Sequence, residues 1–357
     1  MKLTDPPEID LSLPYISEGL VGIGGEIKQQ PEHFVVEEIP SYNPSGHGDH
    51  LYVNITKKNL NTRDVQLQLA KLFNVKPEYV GKAGLKDKRS LSTQSFSILF
   101  EGEKPVASDA SQIIEAHVGI KVNWAKYHDN KLRSGHLRGN GFDILVTGLE
   151  LELDEAVSRA EAIRRRLDQT GIPNYYGLQR TGEEGENTVA GWQLLQGKKR
   201  IRNRWLRRYL VSCYQSHLCN RYLVKRVENG LFDTLLQGDI AKKYDTGGIF
   251  WVEDLETEQP RYVNKEITFT APIYGYKMKT AKHEAHELEK TILIDAGITN
   301  EQFRELRAKG TRRPGRLVPR INVSATDDGL RLRFQLPKGG FATTVLREFM
   351  KNDSHND

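Results

Sequence analysis

The sequence predicts an α+β fold, and three observations carry that expectation. Strand-like segments gather near both ends of the chain, as at 34–38 (FVVEE) and 331–336 (RLRFQL). The middle holds longer runs with apolar residues three to four apart, above all from 203 to 229. With 357 residues, 38% of them hydrophobic and 28% charged, the chain can bury a large core and suggests two domains.

Taken in order, residues 34–38 and 50–55 (HLYVNI) read as short strands. Asn61 or Thr62 can cap a helix through Val65, Leu69 and Leu72. Residues 81–89 form a polar, glycine-bearing loop that leads into a strand at 94–100, and 142–146 is a further strand. Asp154 reads as the N-cap of a helix with Val157, Ala160, Ile163 and Leu167 on one face, stopped by Thr170 and Gly171. After the helical run at 203–229, Gly230 and Gly238 bracket a shorter helix, a β-rich stretch covers 247–271, and a charged helix begins near Thr280. The strand at 331–336 passes through the loop Pro337-Lys338-Gly339-Gly340 into a closing helix.

No stretch approaches the roughly 20 apolar residues of a membrane helix, and the opening MKLTDPPEIDLSLPY lacks the basic-then-apolar pattern of a secretory signal. Cys213 and Cys219 cannot make a disulfide framework, which favours a reducing compartment and a cytoplasmic location. Net charge is only +5, but the basic residues cluster. One run contains Lys198, Lys199, Arg200, Arg202, Arg204, Arg207 and Arg208; a second group holds Lys309, Arg312, Arg313, Arg316 and Arg320; a third is Arg164 to Arg166. Such clusters suit a polyanion, because each neutralised phosphate releases counterions. Each alone reads equally well as a solvated helix face.

Four segments bear chemistry. Gly84-Leu85-Lys86-Asp87-Lys88-Arg89 sets one carboxylate among three cations, which favours its ionised form. An ionised carboxylate in a site serves as nucleophile or base; the alternative is a solvated charge cluster in a turn. Gly139-Asn140-Gly141-Phe142 offers an amide to orient a carboxylate and a ring to stack a base, or a glycine turn whose Phe142 packs inside. In the segment 171–180, Tyr175, Tyr176, Gln179 and Arg180 could grip RNA by stacking and phosphate contact, although tyrosines often belong to cores. The segment 337–348 feeds a helix whose N-terminus could meet phosphate.

Metal and nucleotide chemistry find little support. His283 and His286 stand three apart, where the zinc-helix pattern needs four. Cys213 and Cys219 lie about 240° apart on a helix and point to different faces. Gly22 to Gly25 is too short for a dinucleotide fingerprint, and no Walker motif is present, so no metal, cofactor or nucleotide is expected.

In order and content, the segments at 31–38, 84–94, 139–142, 171–180 and 337–348 resemble the TruD family of tRNA pseudouridine synthases over nearly the whole chain. The resemblance implies a circularly permuted pseudouridine-synthase catalytic domain, a mixed sheet with flanking helices, at 1–170 plus 319–357. An inserted α/β TRUD domain would span 171–318. It implies tRNA as partner, with isomerisation of a specific uridine, position 13 of the D-arm, and leaves the oligomeric state open. Asp87 would be the catalytic carboxylate, Asn140 and Phe142 the active-site amide and ring, Lys28 the ionic partner of Asp87 in the catalytic set, and Phe34 an RNA-binding aromatic. Lys86, Lys88 and Arg89 would hold RNA phosphates. The chain departs from the family pattern at His33, Ser90, Ser92 and Thr181. A non-catalytic RNA-binding protein on the same fold is the rival reading.

Overall fold

The computed structural model describes residues 9–182 and 184–352, except for the side chains of 178 and 179. In chain order the first half runs β1 (Phe34–Pro40), β2 (His50–Lys58), α1 (Thr62–Leu72), β3 (Val80–Lys82), β4 (Leu91–Leu99), α2 (Ala107–Val118), β5 (Lys121–His128), β6 (Leu137–Val146) and α3 (Leu153–Thr170). There follow β7 (Ile172–Pro173), α4 (Leu178–Thr181), α5 (Glu186–Leu195), α6 (Arg204–Glu228), β8 (Ile240–Lys243), β9 (Ile249–Trp251), α7 (Leu255–Val263) and β10 (Ile267–Ile273). The chain continues with α8 (His283–Asp295), α9 (Asn300–Glu305), β11 (Thr311–Pro314), β12 (Arg316–Leu317), β13 (Asn322–Thr326), β14 (Gly329–Pro337) and α10 (Ala342–Met350).

The main sheet has eight strands in the order β13-β14-β6-β1-β4-β2-β5, with β3 also paired to β4. Only the β1–β4 pair is parallel among these ladders, so the sheet is mixed and the fold is α+β, as expected. Side chains alternate across each strand. One face buries Leu51, Val53, Phe96 and Ile98 against Val65 and Leu69 of α1 and Ala110 and Ile114 of α2. Further along that face, Phe34, Val36, Ile144 and Leu332 pack in a second core with α3 and α10. The seam between the two cores is polar: Glu38, Lys57, Thr62, Lys86, Ser90, Ser92 and Gln94 are all buried there. This seam underlies the loop that carries Asp87.

A second sheet, β11-β10-β8-β9, packs on the long helix α6. The short strands β7 and β12 pair with each other, Ile172 opposite Leu317 and Pro173 opposite Arg316, at the two ends of the inserted stretch. Helix α6 starts where expected, because the Asn203 side chain accepts from the backbone N–H groups of Trp205 and Leu206. Helix α3 begins at Leu153 with Glu152 at its N-cap, so Asp154 lies within the first turn and does not cap it.

Two further local expectations are corrected. Residues 231–238 form no helix. The carbonyls of Leu231 and Thr234 accept from the buried Arg226 guanidinium instead of from backbone N–H groups one turn on. The stretch 247–271 is less β-rich than expected: Asp254 accepts from Glu256 and Thr257 N–H and starts α7 between β9 and β10.

Candidate active site

Asp87 sits in the loop between β3 and β4, with its carboxyl half-exposed and 3.3 Å from Lys28 Nζ. Lys28 is largely buried, and its backbone lies in the left-handed region (φ 61°), which is costly for a residue with a side chain. Its ammonium also lies 4.7 Å from the centre of the Phe34 ring. Phe34 meets Phe142 edge to face at 6.4 Å, and Phe142 stacks on Phe334 at 5.3 Å. The chain therefore brings Asp87, Lys28, Phe34 and Phe142 into one continuous line of contacts.

The strands explain the placement. Phe142 lies opposite Val36 on one side and Phe334 on the other, so it shares the helix-covered face with Phe34. Asn140 lies opposite Glu38 and Leu336 on that same face. Gly139 is needed because a Cβ there would come within 2.0 Å of the Leu336 carbonyl oxygen. Asn140 Oδ1 is buried and has no hydrogen-bond partner among the described residues. No hydrogen bond joins Asn140 to Asp87 among those residues, so the carboxylate is not held by that amide in the free protein.

What holds the Asp87 loop is its backbone. Lys57 Nζ donates to the Asp87 carbonyl (3.0 Å), to the Leu60 carbonyl (2.6 Å) and to Ser92 Oγ (3.3 Å). Ser90 Oγ also donates to the Asp87 carbonyl (2.8 Å) and contacts Ser92 Oγ at 2.6 Å. One residue back, Lys86 N–H donates to Thr62 Oγ1 (2.9 Å), which itself donates to Gln94 (2.9 Å). Lys57 had no signal beyond its residue type, and Thr62 stood out only as a candidate helix cap. Ser90 and Ser92 were visible as departures, and here they anchor the loop.

Burial pushes the Lys57 ammonium down to about 8. The folded protein therefore releases this proton before the unfolded chain does. Stability relative to Lys57→Met should rise as pH climbs from about 8 toward the ordinary lysine range, because the unfolded chain binds the extra proton there. Urea unfolding of both proteins at neutral and alkaline pH measures it; parallel curves would show that Lys57 is not the titrating group.

Several expected RNA-facing residues lie elsewhere. Lys86 is buried and paired with the buried Glu38 at 2.8 Å, so it cannot hold a phosphate. Phe34, 2% exposed, and Tyr175, 1% exposed, both belong to the core, so neither lies open to RNA. Arg312, Arg313 and Arg316 are also internal: Arg312 pairs with Glu289, Arg313 donates to Asn174, and Arg316 donates to the Tyr262 carbonyl. Lys88, Arg89, Lys198, Lys199, Arg200 and Arg204 are exposed. Arg180 is half-buried, donating to Ser212 and Ser216, while the Gln179 side chain lies outside the described residues. A hollow of about 610 Å³ is lined in part by Glu37, Phe142, Asp143, Arg320, Arg333 and Phe334, so it reaches the predicted aromatic residue; Asp87 and Lys28 do not line it.

A mixed eight-stranded sheet with a polar seam beneath a half-exposed aspartate frames the site, and the sequence relatives give the class: a pseudouridine synthase, an RNA-modifying isomerase. The family model for tRNA pseudouridine synthase D (TruD) matches residues 11–201 and 199–349. A tRNA pseudouridine synthase D of Thermus thermophilus is 42% identical over 339 residues, 95% of this chain and 92% of its own. That of an Anaeromyxobacter species is 39% identical over 357 residues, 98% and 97% of the two chains. A solved structure from Methanosarcina mazei, described as a putative tRNA pseudouridine synthase D, shares the fold with a TM-score of 0.76 at 24% identity, covering 98% of this chain and 99% of that one. The chain belongs to the tRNA pseudouridine synthase D (TruD) family.

Proposed function

We propose that this chain converts one uridine of tRNA, position 13 in the D-arm, to pseudouridine, and that Asp87 acts on its sugar. The observation that carries the reading is the Lys28–Asp87 ion pair at 3.3 Å beside the Phe34–Phe142–Phe334 ring series. The reaction breaks the N1–C1′ bond, turns the base and joins C5 to C1′; the C5 proton leaves and N1 gains one. It is redox-neutral, so the proposal calls for no cofactor. Asp87 attacks C1′ or takes the C2′ proton toward a glycal; either route uses an ionised carboxylate, and Lys28 Nζ stands 3.3 Å away as its counter-ion. Phe142, half-buried on its ring neighbours, would stack on the extruded base. The unpartnered Asn140 Oδ1 is a group whose hydrogen bond the bound nucleotide would supply.

The pairing of β7 with β12 supports a division into a catalytic part, 1–170 plus 319–357, and an insertion at 171–318. No helix among the described residues is long and apolar enough to cross a membrane, and the reading places the enzyme in the cytoplasm with its tRNA. Mass mapping of pseudouridine in tRNA incubated with purified protein and no added cofactor tests the function. Product at position 13 is expected; RNA binding without product would favour the non-catalytic rival.

The exposed run at Lys198, Lys199, Arg200 and Arg204 should supply phosphate contacts. Replacing all four by Gln is expected to weaken tRNA binding and to lower the slope of log K against log salt by up to about one per lost contact. An unchanged slope would make the run a plain solvated surface.

A further inference from the structure

A hollow of about 430 Å³ lies outside the contacts of Asp87, bordered by the loop that precedes β6. Tyr42, His128, Asn130, Lys131, Arg133 and His136 line it, and none of the described lining residues is acidic. The loop is tied to the Asp87 loop, because Gly135 N–H donates to the Ala83 carbonyl at 2.8 Å. From the other side, Lys338 Nζ donates to the Gly135 carbonyl at 3.1 Å. The hollow therefore borders a loop that is hydrogen-bonded to the loop carrying Asp87.

A chain of hydrogen bonds settles which atom His136 can offer a ligand. Tyr52 OH donates to the Asn130 carbonyl at 2.9 Å, since a carbonyl can only accept. Burial pushes the Tyr52 phenol upward, so it keeps that proton. A phenol has one proton, so the 3.0 Å contact between Tyr42 OH and Tyr52 OH must be donated by Tyr42. The proton in the 3.0 Å contact between Tyr42 OH and His136 must then come from Nδ1. Nε2 is left for a ligand, as acceptor when neutral and as donor when protonated. Tyr42 and His128 add ring surface, with centres 5.1 Å apart and planes 32° apart. Arg133 is exposed, while Lys131 Nζ donates to the Glu78 carbonyl. The nearby Asp129 carboxylate contacts His47 and Ser45.

We propose that this hollow holds a nucleotide of the RNA strand other than the uridine being isomerised, with its phosphodiester on Arg133 and Lys131 and a sugar or base edge on His136 Nε2. The volume lies within the range of about 300–1,000 Å³ usual for ligand sites. Cations without carboxylates suit a phosphate, and rings beside amides suit a base. The inference rests on the tRNA reading above.

Arg133→Ala and His136→Asn test it; the asparagine amide can still donate toward Tyr42 but lacks an Nε2. Both should weaken binding of a tRNA transcript about tenfold and raise KM. The single-turnover rate at saturating enzyme and the melting temperature should not change. Arg133→Ala should also lower the salt slope by about one. Unchanged affinity and slope in an active enzyme would overturn the subsite, as would a loss confined to the single-turnover rate. Uridine monophosphate as free competitor should leave turnover unchanged; inhibition abolished by Arg133→Ala would point to a free nucleotide and overturn the strand assignment. Wild-type protein that makes no pseudouridine would instead sink the underlying function.

Discussion

Asp87→Asn is expected to bind tRNA nearly as well as the wild type and to form pseudouridine at least about 10³-fold more slowly in single turnover. The substitution keeps the size of the side chain and removes its charge and its ability to attack or accept a proton. The fold should tolerate it, because the carboxyl is half-exposed and the loop is held through the Asp87 carbonyl by Lys57 and Ser90. Losing the ion pair leaves Lys28 without its anion, but the ammonium keeps its contact with the Phe34 ring. Affinity is read by filter binding and turnover by tritium release from C5. Wild-type turnover in the purified variant would remove Asp87 from the chemistry.

Asp239→Ala should cost the fold several kcal/mol. Arg226 and Asp239 are fully buried and joined by two hydrogen bonds. Arg226 also donates to Tyr222 OH and to the Leu231 and Thr234 carbonyls, and lies 4.2 Å from the Phe269 ring centre. Removing the carboxylate leaves a guanidinium with no counter-charge in the core, at a cost of about 3–5 kcal/mol. It also strands the Leu236 N–H, which donates to Asp239 at 2.8 Å. Urea unfolding measures the loss. A change below about 1 kcal/mol would mean that water or a rearranged chain reaches Arg226.

The outline of the fold was legible where local chemistry and tertiary demand agree. Alternation in 34–38 and 331–336 survives because these strands have one covered face, and Asn203 caps α6 through its own side chain. Legibility failed where a distant partner redirects the backbone, as at 231–238, wrapped on Arg226. The basic group at 312–316 misled for a related reason. Residue type reports charge, but only the fold shows that Glu289, Asn174 and the Tyr262 carbonyl receive it. At the site, Asp87, Lys28, Phe34 and Phe142 were identified and do meet. In the support beneath them, Ser90 and Ser92 stood out in the sequence, but their meeting with Lys57, 35 residues before Ser92, could not be read from either segment.

Strand β14 lies between β13 and β6, in a sheet whose other strands, β13 apart, are all made early. On the ribosome, β6 must therefore wait with an open edge while the whole stretch from β7 to β12 is synthesised. That waiting half offers unpaired N–H and C=O groups to any neighbouring chain. Its maturation is thus timed by the arrival of residues 329–337, and slow translation of the preceding stretch would lengthen the window in which chaperones are needed.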